Sequence, residues 1–210
     1  MERAEIVATV ERERLDLADL LDELGPEEWT RPSLARGWTV QDVVAHLTLT
    51  TRLSPLAAMT GVLRARGDLN RMIGDSARAR AARYAPAELV AQLRENAGSA
   101  RRPLGTQPPD PLVDMLVHGQ DIARPLGRPR AMPAAAVATG LDHVWGSSFY
   151  GARKRFTGLR LRATDLDWSA GEGEEVRGPA GDLLLLATGR PAGLDALDGP
   201  GVTQAAARLA

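Results

Sequence analysis

The sequence predicts a mostly α-helical protein that ends in a small α+β unit. Three observations carry that expectation. Apolar residues recur at helical spacing in several segments before residue 150. Glycine and proline punctuate those segments. After Gly151 the pattern changes, and Leu159-Arg160-Leu161-Arg162-Ala163-Thr164 alternates apolar with polar, as in a half-buried strand. Two domains are expected, 1–150 helical and 151–210 α+β. The second is marginal for independent stability at its size.

The helices can be taken in order. Residues 3–24 place Ile6, Val7, Val10, Leu17, Leu20, Leu21 and Leu24 three and four apart, and Gly25-Pro26 stops the run. Glu27 to Trp29 makes a short helical turn, followed by loop at Arg31-Pro32-Ser33. Thr39 is a suitable N-cap for the next helix, with Asp42 at the third position. Val40, Val43, Val44 and Leu47 form its buried stripe, and His46 stands at the margin. Pro55 interrupts this helix or starts another. Residues 56–66 are expected to be helical, with Leu56, Met59 and Leu63 on one side. Residues 68–84 lack hydrophobic periodicity and read as a loop with a helical piece at the far end. Ala85-Pro86 opens a clear helix with Leu89, Val90 and Leu93 inward.

Residues 101–110 hold three prolines and a glycine and form a connection. Asp110 as N-cap and Pro111 then start a helix that ends near Leu126-Gly127. Pro133 opens a fifth, to about Tyr150, with Val137, Leu141, Val144 and Trp145 as its stripe. In the tail, Glu174 to Gly178 is a candidate strand. Pro179 opens a helix through Leu183 to Leu186, and a last short helix spans roughly 201–209.

Composition sets the bounds on function. The chain has 210 residues and a formal net charge of −1. Its arginines are scattered among acids, so no nucleic-acid surface is expected. There is no cysteine, which rules out disulfides and thiolate ligands, so any reactive sulfur must come from a small-molecule thiol. The N-terminus is charged from Glu2 and has no signal-peptide pattern. The longest strongly apolar run, Leu183 to Ala187, is far too short for a membrane span. A cytoplasmic protein is the expectation.

The most informative stretch is Asp114 to Asp121. Asp114 and His118 lie one helical turn apart on one face, opposite Leu112, Val113, Leu116 and Val117. Such a pair is often a solvated i,i+4 pair. It also suits a metal, if another helix supplies a third ligand. His46 is the candidate for that ligand. Its plainer reading is a core histidine bonded to a backbone carbonyl. Asp121 falls on the same face as a second-sphere acceptor or a surface group. His143 pairs with nothing at ligand spacing and reads as structural or exposed. Trp29 and Trp38 read as core anchors.

Two segments together carry a resemblance. Pro32-Ser33, Gly37-Trp38-Thr39-Val40, Asp42-Val43-Val44 and Ala45-His46-Leu47 form the first. The second is Asp114 to Gly127, DMLVHGQDIARPLG. The combination resembles the mycothiol-dependent maleylpyruvate isomerase family, whose N-terminal part belongs to the DinB-like four-helix-bundle superfamily. Val176 to Arg190 is similar to the family's smaller C-terminal domain. The resemblance implies a DinB-like up-down four-helix bundle and a divalent metal, usually zinc, held by His46, Asp114 and His118. The family usually has glutamate where this chain has Asp114, an arm one methylene shorter. Arg190, in the Gly-Arg of the tail, is the candidate catalytic and cofactor-binding residue. Its guanidinium matches a carboxylate, and its plainer role is a cation at a helix C-terminus.

Three protein ligands leave a coordination position open, as in catalytic sites. The resemblance implies that mycothiol binds there as a metal-bound thiolate. In the isomerase it adds to a conjugated cis double bond, allows rotation and leaves; in relatives it attacks an electrophile and stays attached as an S-transferase product. The implied partners are a small-molecule thiol and an electrophile, with no nucleic acid or membrane, and the implied state is monomer or homodimer. Two other readings remain open: a non-catalytic DinB-like binder with a degenerate metal site, and a metal-dependent hydrolase with water in the thiol's place.

Overall fold

The computed structural model describes residues 1–52, 55–103 and 105–209. These divide into two compact units, Glu2–Arg130 and Ala131–Ala210, with Met1 grouped with the second. The division falls before the fifth predicted helix and not after it, unlike the expected boundary at residue 150. Val137, Leu141 and Val144 of that helix are buried within the second unit, where it packs against the leucine-rich tail helix.

The first unit holds α1 (Arg3–Asp22), α2 (Val40–Leu49), α3 (Pro55–Arg64), α4 (Leu69–Ala81), α5 (Pro86–Glu95) and α6 (Asp110–Ala123). Four of them form the bundle: α1 and α2 each pack on both α5 and α6. The core is built from the expected stripes. Leu17, Val40, Val43, Val44, Leu89, Leu112 and Leu116 are all fully buried, and apolar burial of this kind is the main source of stability. The start of α2 is capped as its sequence predicts. Thr39 Oγ1 accepts from the Asp42 amide at 3.2 Å, and Asp42 Oδ2 accepts from the Thr39 amide at 2.9 Å.

The stretch 68–84 departs from the expectation. It is the 13-residue helix α4, capped by Asp68, whose side chain accepts from the Arg71 amide at 3.0 Å. Its buried residues are Met72, Gly74 and Ala77. Small side chains let it lie close against α2, so it needs no stripe of large apolar residues and shows none. Gln41 of α2 secures its far end by donating to the carbonyls of Ala81 and Tyr84. Helix α3 forms, but Met59 and Leu63 are exposed, at 57% and 72%. The Leu56 side chain of the same expected stripe lies outside the described residues.

The second unit holds α7 (Ala134–Gly146), α8 (Ala152–Arg155), β1 (Leu159–Ala163), β2 (Ser169–Gly171), β3 (Glu174–Gly178), α9 (Ala180–Ala187) and α10 (Val202–Ala207). The sheet order is β2-β1-β3, with β1 antiparallel to β2 and parallel to β3. Leu159, Leu161 and Ala163 point into the core, as their alternation predicts. Helix α9 crosses behind the sheet with Leu183 to Leu186 fully buried. No helix among the described residues is long and apolar enough to cross a membrane.

Candidate metal centre

Helix α6 is the central element of the site. Its sequence has an apolar face, yet it is buried almost all round, from Leu112 to Ala123. Asp114 and His118 therefore lie half-buried between helices, not on a solvated face. Across from them, α2 presents His46. The two imidazole rings meet edge to face, with centroids 4.9 Å apart. One ligand-capable atom from each of His46, Asp114 and His118 lies within 4.8 Å of the others, and this is the only such cluster among the described residues. The short aspartate arm reaches the two histidines because α6 packs directly on α2.

Neighbouring groups hold the cluster. Asp121 is fully buried, and its Oδ2 lies 2.8 Å from His118 Nδ1. With Asp121 ionised, and so an acceptor only, this contact favours the His118 tautomer that carries its proton on Nδ1 and leaves Nε2 as the acceptor nitrogen. Asp121 is thus held against His118 in the interior and not at the surface. The Asp121 carbonyl accepts from the Leu34 amide at 3.0 Å, which ties the 31–39 loop to α6. That loop is closed on itself by Ser33 N to Trp38 O at 2.9 Å and Val40 N to Arg31 O at 3.0 Å.

The same loop sets Trp38 against the two histidines. Its ring lies parallel to His118, within 9° and at a centroid distance of 6.1 Å, and meets His46 edge-on at 5.3 Å. Trp38 is half-buried, so the expectation of a core anchor is corrected. The loop turns its indole toward the cluster instead of the bundle interior. Trp29 is the core anchor of the pair, 5% exposed.

Gly119, beside His118, is explained by packing. A Cβ there would stand 2.6 Å from Arg130 Nε. Arg130 crosses α6 at this point to reach Glu13 of α1, donating to its Oε2 at 2.6 Å, and both side chains are at most 7% exposed. Burial pushes the Glu13 carboxyl above the usual range, and the Arg130 charge works against that shift. Arg14, also buried, gives one guanidinium nitrogen to the carbonyls of Asn96, Ala97 and Ser99. Burial lowers its pKa, opposed by the nearby negative charge of Asp114. Asp114 thus sits in the field of a fixed cation. Neither Glu13 nor Arg14 stands out in the sequence, where both fall among many charged residues of α1.

A family model described as the mycothiol maleylpyruvate isomerase N-terminal domain matches residues 10–132. The chain belongs to this family. The family segment contains His46, Asp114, His118 and Asp121, and it ends beside the division between the two units. Two crystal structures, of the mycothiol-dependent maleylpyruvate isomerase and of a histidine-to-alanine mutant of it, share the fold. Each is 15% identical with a TM-score of 0.58, covering 95% of this chain and 93% of that one. A comparison with curated proteins finds no match.

The remaining candidates lie outside the family segment. Arg190 is at the start of the short helical turn Pro191–Ala196 in the second unit, and its Nη1 donates to the Thr188 carbonyl at 2.8 Å. His143 meets Tyr150 edge to face at 5.8 Å and is not a member of a metal-type cluster among the described residues.

Two imidazole nitrogens and a carboxylate oxygen suit zinc or a related divalent metal. Ligand atoms about 2.1 Å from a tetrahedral ion stand about 3.4 Å apart. The cluster's spread of up to 4.8 Å therefore needs only modest closing of the side chains.

Proposed function

We propose that this chain is a divalent-metal-dependent, mycothiol-dependent enzyme, either a maleylpyruvate isomerase-like cis-trans isomerase or a thiol S-transferase. The observation that carries the reading is the convergence of His46, Asp114 and His118 from two helices on one point. Family membership supplies the thiol. Zinc is the metal we favour, and the cytoplasm is the compartment we favour.

A bound divalent cation would favour the thiolate of mycothiol, and mycothiol would provide the sulfur this cysteine-free chain lacks. The residues do the rest. His46, Asp114 and His118 would hold the ion, two neutral imidazoles and one carboxylate, so a divalent cation would keep net positive charge for an anionic sulfur. Three ligands leave room for a fourth group. Asp121 holds the His118 ring in one tautomer and orientation. Trp38 packs its ring against the histidine pair and limits how the two rings can turn. Arg190 is our candidate for an anionic group of thiol or substrate.

Asp114 favours a second reading, a non-catalytic DinB-like binder of a small molecule or protein whose metal site is degenerate. Metal content separates the two. Wild-type protein purified without a histidine tag or chelator is expected to hold about one equivalent of divalent metal, and His118→Ala to lose it. Turnover of an electrophile is then expected to require a thiol. Absence of metal in the wild type, even after zinc is added, overturns the enzymatic reading. Turnover independent of any thiol points to hydrolysis.

A further inference from the structure

Helix α4 brings a second group of side chains to the rim of the cluster. A point one Cα–Cβ bond from Gly74 lies 3.4 Å from Arg78 Nη1, 3.7 Å from Nη2 and 3.6 Å from Trp38 Nε1. Two donors with no acceptor capacity, an indole N–H and a guanidinium, thus face the same small space. Among the described residues, none accepts from the Trp38 indole N–H. The guanidinium has an acceptor in Asp75 Oδ1, but at 3.4 Å and with the Asp75 side chain 62% exposed. An exposed pair of that length competes weakly with a better-placed anion. Gly74 makes the juxtaposition possible, since a large side chain there would part the guanidinium from the indole.

We infer that Trp38 and Arg78 form a carboxylate-binding subsite beside the His46–Asp114–His118 cluster. A carboxylate seated over Gly74 accepts from both, a charge-assisted pair of hydrogen bonds. The Trp38 ring that would hold it is also packed on His118 and His46, at 6.1 Å and 5.3 Å. A small carboxylate-bearing electrophile anchored there extends past the indole toward the metal ligands. The inference deepens the proposed function and rests on it for the word substrate; the anion subsite itself does not depend on a metal.

The test uses the full chain, labelled with nitrogen-15, and follows the indole N–H signals of its four tryptophans. Trp38→Phe identifies the Trp38 signal. The probes are maleate and its dimethyl ester, each added to metal-free and zinc-loaded protein with zinc content measured in the same samples. Maleate is expected to shift the Trp38 signal saturably in both forms, and the ester to leave it unmoved. Arg78→Ala, a change at a half-exposed side chain that leaves the core intact, is expected to weaken binding at least tenfold. Arg78→Lys is expected to recover part of it, with zinc content unchanged in both variants. An unmoved Trp38 signal, equal shifts with the ester, or binding unchanged in Arg78→Ala overturns the subsite. Binding that needs zinc but not Arg78 also overturns it, since the carboxylate then sits on the ion. Failure of zinc to bind while maleate still shifts Trp38 overturns the proposed function and leaves the subsite standing.

Discussion

Helices α4 and α6 both pack on α2, and they do so by opposite means. Helix α6 buries Leu112, Val113, Met115, Leu116 and Val117, large side chains that fill the bundle. Helix α4 buries Met72, Gly74 and Ala77 and relies on close approach. The first mode leaves a strong periodic trace in the sequence, and the second leaves almost none. Both helices nevertheless bring side chains to the same neighbourhood, α6 with Asp114 and His118 and α4 with Arg78 beside Trp38. Functional surroundings need not be carried on the segments that look most structured.

The comparison sharpens through substitutions, taken from the largest expected effect. Leu116→Ala opens a cavity in the fully buried seam of α6 and is expected to cost about 2–5 kcal/mol, read by denaturant unfolding. On α4 the sensitive direction is reversed. Ala77→Leu overfills a fully buried contact made for a small side chain and is expected to cost about 1–3 kcal/mol. If Ala77→Leu is neutral, α4 does not pack by close approach and the contrast fails. Asp121→Asn keeps the shape of the His118 support but weakens its acceptor, and zinc affinity is expected to drop about 10–100-fold by competition with a chelator.

The smallest effect concerns pH. Burial raises the Glu13 carboxyl above its ordinary value of 4.5. A folded-state pKa above the unfolded one means the native state holds the proton more tightly. The stability it contributes is therefore present below pH 4.5 and is lost as pH rises through the raised value. Relative to Glu13→Gln, wild-type stability is expected to fall with pH across that window, measured as thermal midpoints at matched salt. A difference that grows in wild type's favour as pH rises would show that the Arg130 charge outweighs the cost of burial.

Much of the site was legible before the fold. The spacing of Asp114 and His118 put them on one helical face, and His46 at the stripe's edge stood where a side chain can point into the bundle interior. Thr39 as N-cap, with Asp42 at the third position, marked the start of α2, and the structure closes the pair into a capping box. Trp38 was misread, because an aromatic residue just before a helix ordinarily anchors a core, and the loop bonds that turn it toward His118 join residues far apart in sequence, such as Leu34 and Asp121. Gly119 gave no reason for itself until Arg130 was seen crossing above it.

By itself the sequence determined the local features of this protein. Helical periods, caps, strand alternation and the absence of cysteine are properties of neighbouring residues and of composition. Tertiary structure alone decided three things: that α4 is a helix pressed on α2, that His46 lies within reach of His118, and that Trp38 and Arg78 meet over Gly74. Each depends on how closely two backbones approach, and that distance is set by packing across the bundle, where no local pattern records it.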